Sequence, residues 1–353
     1  MSINLQPSDA LPRPYITTSL VDVTHKLPMK PPCRIMFKNE LEQPSGSFKL
    51  RGIGHLIHKS IEQSRMTSSD KQIHVFALSG GNAGLAAAYL ASFYDVKCTV
   101  VLPTISKASV REKLLEYGAK IIVFGASINE ADKHLKNLMM SIDTTKTTPI
   151  YCHPFQHPLV WEGHSSLVDE IVQNQLSKSQ ASHLKGIVCS CGGGGLYNGM
   201  YQGLRNNKIA SDILLIETIQ APTLSESVKA GELITLESVN SMATSLACSY
   251  TTQQTMINFH NQSDSINTRL ELIDDMDTLR ACVEYYNKFG NVVEPACGAA
   301  LSAVFNKIDL LYKTFAHLNK DDIVVIVVCG GSCTTTKDLS RFQLMISRNE
   351  IKL

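Results

Sequence analysis

Three apolar runs in this chain each stop at a turn of small residues, and two of those turns plainly open helices. Ile73 to Leu78 leads into Ser79-Gly80-Gly81-Asn82-Ala83-Gly84, Gly186 to Ser190 into four consecutive glycines, and Ile323 to Cys329 into Gly330-Gly331-Ser332. Between them, strand and helix patterns alternate. Cys98 to Leu102 reads as a strand closed by Pro103, Lys107 to Tyr117 as a helix stopped by Gly118, and Lys120 to Phe124 as a strand. Such alternation implies an α/β architecture of parallel sheets with right-handed crossovers. The unbroken apolar run at 323–329 suits a central parallel strand covered on both faces. Ligands of open α/β sheets bind outside the carboxyl ends of strands, which is where these turns fall.

The other expected elements are a short strand at Arg34–Phe37 and helices at Gly54–Ile61, Ala83–Phe93, Ser165–Gln175 and Leu196–Arg205. A strand at Ile213–Glu217 and helices at Met276–Phe289 and Ala296–Phe315 complete the set. Residues 235–270, rich in Ser, Thr, Asn and Gln, give no secure element. A chain of 353 residues has length for two lobes. Pro154-Phe155-Gln156-His157-Pro158 breaks the alternation and marks a crossing between lobes. We expect 42–154 to form the small lobe and 1–41 with 155–353 the large one, with a ligand cleft between them.

Composition excludes several classes of function. Charged residues are 18% of the chain and the formal net charge is +1, with no block of like charge, so no nucleic acid or acidic membrane surface is expected as partner. No run approaches the length of a membrane span, and the first 18 residues lack an apolar signal core, so a cytoplasmic protein is expected. The ten cysteines lie mostly inside apolar runs, the pattern of buried thiols in a reducing compartment. Cys189-Ser190-Cys191 and Cys329 to Cys333 lack zinc-ligand spacing.

Pro44-Ser45-Gly46-Ser47-Phe48-Lys49-Leu50-Arg51-Gly52 sets a lysine between an aromatic and an apolar residue, behind a loop of small residues. Apolar neighbours make a lysine's charge costly, and a neutral amine can attack a carbonyl and hold it as a Schiff base. A lone lysine near a helix start is ordinarily a solvated surface group, so the weight falls on its company. Four glycines ahead of a helix cost chain entropy unless the backbone must approach a ligand closely. Gly192, Gly193, Gly194 and Gly195 would present N–H groups at the positive end of a helix, a cradle for phosphate. A dinucleotide site competes, because Glu217 ends the next strand roughly twenty residues on, where a ribose-binding acid belongs. The spacing argues against it: from Gly193, G-x-G-x-x-G needs a glycine where Asn198 stands, and no Gly-Lys-Ser/Thr closes the run as in a P-loop. A phosphate cradle without a nucleotide fingerprint, joined to a Schiff-base lysine, points to pyridoxal phosphate.

In combination and order, these motifs resemble the eukaryotic catabolic L-serine/L-threonine dehydratases, two-lobed fold-type II pyridoxal-phosphate enzymes related to tryptophan synthase β. The resemblance takes in residues 44–52, Ser79–Gly84, Pro154–His164, the tetraglycine, Val293–Ala300 and Val328–Ser332, and so runs through nearly the whole chain. It implies that Lys49 carries the cofactor, Phe48 packs on its ring, Asn82 bonds the ring hydroxyl oxygen, and Cys329 faces the pyridine nitrogen. Gly192, Gly193, Gly194 and Gly195, with Leu196, would hold the phosphate. Ser79, Gly80, Asn82 and Ala83 would bind an amino-acid substrate by its carboxylate. The resemblance further implies a potassium site at Gly192, Glu217, Ala221, Thr223, Leu246 and Cys248, making Glu217 a cation ligand. A homodimer serving amino-acid catabolism and gluconeogenesis is implied on the same ground.

On that reading Lys49, once freed by the substrate amine, takes the α-proton as general base. A thiol at the pyridine nitrogen cannot hold the ring strongly protonated, so loss of the β-hydroxyl competes well with reprotonation; the cofactor phosphate is the expected proton donor. Serine would give pyruvate and ammonia, and threonine 2-oxobutanoate and ammonia. A β-replacement enzyme, or a weakly active or inactive paralogue that binds cofactor or amino acid, are the alternatives. The second arises from departures: Ser245-Leu246-Ala247-Cys248 stands where the family usually has Leu-Gly after Thr-Ser, and Cys333 where Asn is common. Gly80, alanine in some relatives, is expected to leave room near the substrate. Trp161 and His164 are expected to pack a helix, His153 and His157 to be turn or surface residues, Cys297 to be core, and Glu294 to hold a loop.

Overall fold

The apolar runs build two separate sheets in the computed structural model, which describes residues 11–67, 70–261 and 265–350. The described residues divide into a smaller unit, 11–16 with Gln43–Gly163, and a larger one, Thr17–Glu42 with 164–350. This differs from the division expected above, which puts 1–41 and 155–163 in the large lobe and residue 42 in the small one. Residues 11–16 are tied into the smaller unit by Tyr94, whose hydroxyl donates to Pro12 O at 3.0 Å, and by Gln43, whose Nε2 donates to Ile16 O at 3.0 Å.

The larger unit begins with β1 (Leu20–Asp22) and β2 (Arg34–Asn39). The smaller then runs α1 (Lys49–Thr67), β3 (Gln72–Leu78), α2 (Asn82–Phe93), β4 (Lys97–Leu102), α3 (Ala108–Glu116), β5 (Lys120–Val123), α4 (Ile128–Met140) and β6 (Thr147–Cys152). Its four strands are parallel in the order β5-β4-β3-β6, so growth on one side of β3 is followed by a return to the other. That makes the end of β3 a topological switch point, where ligand crevices form.

After α5 (Pro158–Asp169) come α6 (Lys178–Ala181), β7 (Leu184–Ser190), α7 (Gly195–Asn207), β8 (Asp212–Thr218), α8 (Thr223–Ala230) and α9 (Gln253–His260). Then follow β9 (Thr268–Ile273), α10 (Asp275–Phe289), α11 (Pro295–Phe305), α12 (Asp309–Thr314), β10 (Ile323–Val328) and α13 (Thr336–Glu350). The six-stranded order is β1-β2-β10-β7-β8-β9, with β1 alone antiparallel. The second switch point therefore lies between β7 and β10, and the tetraglycine and the Cys329 turn leave those two strands.

Every residue of β10 is buried, as its unbroken apolar sequence requires, with Ile326 paired to Phe37 on one side and Val188 on the other. All of α11 is buried too, and its small residues let backbones meet: a Cβ on Gly298 would lie 2.3 Å from Thr278 O of α10.

The single helix expected over 296–315 is two. Asn306 leaves helical geometry with φ −140°, and the amides of Asn306 and Lys307 both return to Ser302 O, at 3.1 and 2.8 Å. Asn306 Nδ2 donates instead to Asp277 O at 3.0 Å, which holds the break. The first helix starts at Lys49 rather than Gly54, so the lysine stands on its opening turn. The sequence reading missed α4 and β6, although Ser127 announces α4 by capping it, its Oγ accepting Glu130 N–H at 3.2 Å.

The helix expected at 165–175 begins at Pro158 and ends in a π-helical turn over Glu170–Gln175. Residues five apart point about 140° away from each other on an α-helix, whereas a π turn closes i to i+5 and brings them together. Here it places Glu170 and Gln175 on the fully buried Lys38, whose ammonium donates to Glu170 Oε2 (2.8 Å), Gln175 Oε1 (2.9 Å) and Thr18 O (2.9 Å). All three donors are used, which a buried ammonium requires. Glu170→Ala, by stranding that charge, is expected to lower the unfolding free energy by about 3–5 kcal/mol in urea denaturation. A loss below about 1 kcal/mol, the surface-pair value, would show that the pair does not anchor this unit.

Candidate active site

In the smaller unit, Lys49 Nζ donates to Pro154 O at 2.6 Å and lies 5.0 Å from the centre of the Phe48 ring. The turn carrying that carbonyl is built by His153, whose Nδ1 accepts the amides of Phe155 (3.3 Å) and Gln156 (2.9 Å). Burial pushes the His153 pKa down to about 4, which keeps the ring neutral and able to accept. Trp161 Nε1 donates to Phe155 O at 2.7 Å, and His157 Nδ1 accepts Leu159 N–H at 3.1 Å at the start of α5. His153 and His157 are thus turn builders, His153 a buried one, and His164 is fully buried in α5. Ser47 Oγ, two residues before Lys49, is buried with no hydrogen-bond partner among the described residues. A buried hydroxyl without a partner is costly unless a bound group supplies one.

The turn after β3 brings Ser79, Gly80, Asn82 and Ala83 to the start of α2. Ser79 Oγ accepts Gly81 N–H at 3.0 Å, and Gly81, at the N-cap of α2, has no side chain to cap it, a helix start suited to a carboxylate. Gly80 does not leave room, contrary to the expectation above. Ser106, from the loop after β4, fills the space, and a Cβ at position 80 would lie 2.0 Å from its Oγ.

In the larger unit, Gly194 has φ +84° and precedes α7 with no side-chain cap. A Cβ on Gly194 would lie 2.0 Å from Thr255 Oγ1, and one on Gly192 would lie 2.6 Å from Leu246 O. Glycine is therefore required at both, and the uncapped amides of a helix start are left to an anion. Cys329 is buried at the end of β10; a hydrogen bond with Cys297, then burial, raises its thiol pKa well above the usual value, so the thiol stays protonated. Glu294, buried just before α11, lies against Gly331, where a Cβ would come within 2.4 Å of its Cγ.

Glu217 is fully buried at the end of β8, where it accepts Leu224 N–H (2.8 Å) and Ser225 N–H (3.0 Å) and burial pushes its pKa up to about 7. Thr223 Oγ1 donates to Cys248 O, Cys248 N–H donates to Leu246 O at 2.7 Å, and Leu246 abuts Gly192. Ala221 N–H donates to Thr218 O at 2.9 Å. One carboxylate among carbonyl and hydroxyl oxygens is a hard donor set, suited to an alkali or alkaline-earth ion rather than to zinc. Among the described residues, no group of three or more His, Cys, Asp or Glu side chains is arranged to hold a metal ion. Half-buried Ala247 closes a turn to Ala243 O at 3.2 Å.

Parallel sheets with glycine turns at their switch points, and a lysine at a helix start, define the fold-type II class of pyridoxal-phosphate enzymes. Residues 15–330 match the family described as pyridoxal-phosphate dependent enzyme, and the chain belongs to it. The catabolic L-serine/threonine dehydratase of Saccharomyces cerevisiae is 44% identical over 316 residues, 88% of this chain and 86% of that one. The L-serine dehydratase/L-threonine deaminase of Mus musculus is 34% identical over 319 residues, 89% of this chain and 91% of that one. A fungal L-serine ammonia-lyase from Rhizomucor miehei has a similar structure, with TM-score 0.80 at 26% identity, covering 94% of this chain and 98% of that one.

Reading the sequence did not find Ser106, the Pro154 carbonyl, His153 as its support, or Thr255 beside Gly194. A bare Gly80-Gly81 pair could have signalled that something else fills the space. Gly80→Ala is expected to lower stability by about 1–3 kcal/mol through overpacking, and Ser106→Gly in the same chain to restore most of it. Equal melting temperatures for wild type and Gly80→Ala would overturn the steric account.

Proposed function

We propose that this chain is an L-serine dehydratase that also accepts L-threonine, holding pyridoxal phosphate on Lys49. The uncapped, glycine-only start of α7 carries the cofactor reading, since side chains are sterically barred at 192 and 194. The partnerless Ser47 hydroxyl and the protonated Cys329 thiol fit the same group. Similarity to dehydratases across most of the chain supports the substrate.

Lys49 would hold the cofactor aldehyde, Gly192 to Gly195 with Leu196 its phosphate, Phe48 and Asn82 its ring, and Cys329 its nitrogen. When bound, the cofactor's conjugated ring takes up the electron pair freed as a substrate Cα–H bond breaks. Ser79, Gly80, Asn82 and Ala83, at the start of α2, hold the substrate carboxylate. Lys49 Nζ takes the proton from Cα. Cys329 offers a neutral donor, which favours loss of the β-hydroxyl over return of the proton. Loss of water and hydrolysis convert serine to pyruvate and ammonia, and threonine to 2-oxobutanoate and ammonia.

Potassium is the proposed ion at Glu217, with oxygens of Gly192, Ala221, Thr223, Leu246 and Cys248. The smaller unit would carry the lysine and the substrate loop, and the larger unit the phosphate cradle. Free cysteines, nine of the ten buried, support a place in the cytoplasm, and by resemblance alone we make the protein a homodimer serving amino-acid catabolism and gluconeogenesis. Among the described residues, no helix is long and apolar enough to cross a membrane.

Borohydride reduction of the purified, coloured protein should leave its adduct on the peptide containing Lys49. Lys49→Ala should lower pyruvate release by about 10³-fold or more while keeping the fold. An adduct on another lysine, or turnover surviving in that variant, would refute the assignment. Replacing potassium with tetramethylammonium is expected to slow turnover several-fold, and an unchanged rate would remove the cation from the proposal.

A further inference from the structure

The tetraglycine has no side chains with which to fix itself, so any constraint on its amides must come from neighbours. We infer that Asn198, Thr252, Thr255 and Asn258 are positioning residues that hold the start of α7 in the geometry that grips the cofactor phosphate. The inference rests on reading Gly192 to Gly195 as the phosphate cradle, and it assigns these four the setting of phosphate affinity in particular.

All four side chains are buried. Asn198 Nδ2 donates to Thr252 Oγ1 and Thr255 Oγ1, each at 3.2 Å, and Asn198 Oδ1 accepts from Asn258 Nδ2 at 3.0 Å. The two threonine hydroxyls are 2.8 Å apart, and Thr252 Oγ1 also accepts Thr255 N–H at 3.2 Å, capping α9. Gln254 Nε2 completes the set by donating to Asn258 Oδ1 at 2.8 Å.

This network touches Gly194 from two directions. Asn198 lies on the first turn of α7, its N–H bonded to Gly194 O at 2.9 Å. Thr255 Oγ1 occupies the side of Gly194 where a side chain would otherwise project. Apolar residues of the same size could join α7 to α9, and often at no loss of stability. Hydrogen bonds instead define a single arrangement, because each buried partner must be met at a set distance and angle. Amides that grip an anion need that fixity, since charge-assisted hydrogen bonds are short and directional.

The test titrates apoprotein with pyridoxal phosphate and, separately, with pyridoxal, which keeps the aldehyde but lacks the phosphate; absorbance of the Lys49 adduct is read. Thr255→Val should raise the Kd for pyridoxal phosphate about tenfold, the cost of a lost buried hydrogen bond, and leave that for pyridoxal within about twofold. Thr255→Ser, which keeps the hydroxyl, should restore the affinity. Asn198→Ala supplies the same comparison should Thr255→Val fail to fold. Weakening toward both aldehydes alike would mark a merely structural role and overturn the inference, as would unchanged affinity for both. Wild-type protein that takes up neither aldehyde would overturn the functional reading and this inference together; variants that match a wild type that does bind would overturn this inference alone.

Discussion

Burial of β10 between β2 and β7 is the constraint from which the larger unit follows. A strand of six apolar residues with no polar face must be covered above and below and paired on both edges. Inserting it beside β7, away from β8 and β9, creates the switch point where the two glycine turns diverge. The small residues of α11 then allow that helix to close over the strands, with Ser190 at the end of β7 accepting Ala300 N–H at 3.2 Å. The same turns that end the strands present the groups we assign to the cofactor.

Close approach, more than charge, shapes the candidate site. Ser106 stands over Gly80, Thr255 over Gly194, the Leu246 backbone over Gly192 and Glu294 over Gly331. In each case a glycine lets a neighbour's atoms reach the backbone. In the smaller unit burial keeps His153 neutral; in the larger, a hydrogen bond with Cys297 and burial keep Cys329 protonated, and burial moves Glu217 towards neutrality.

What could be read from the sequence was whatever depends on neighbours along the chain. Largely apolar runs mark β3, β4, β7, β8 and β10, small-residue turns mark the loops, and the setting of Lys49 marks the candidate amine. What escaped depends on partners far away in sequence. Asn306 ends α11 because its side chain finds the Asp277 carbonyl, and no local breaker marks the place. The polar stretch at 235–270 hides α9, whose Thr and Asn residues favour turns until Asn198 supplies partners for them. Ser106 at Gly80 is likewise a contact across two loops.

The hydrogen bond from Lys49 to the Pro154 carbonyl has a consequence for the amine's trajectory. An acceptor fixed by the turn offers the side chain a berth inside the protein, where, on the proposed function, an amine released from a covalent partner would dock. On the proposed function, the backbone of residue 154 would act as a tether that returns the amine to its starting line after every cycle.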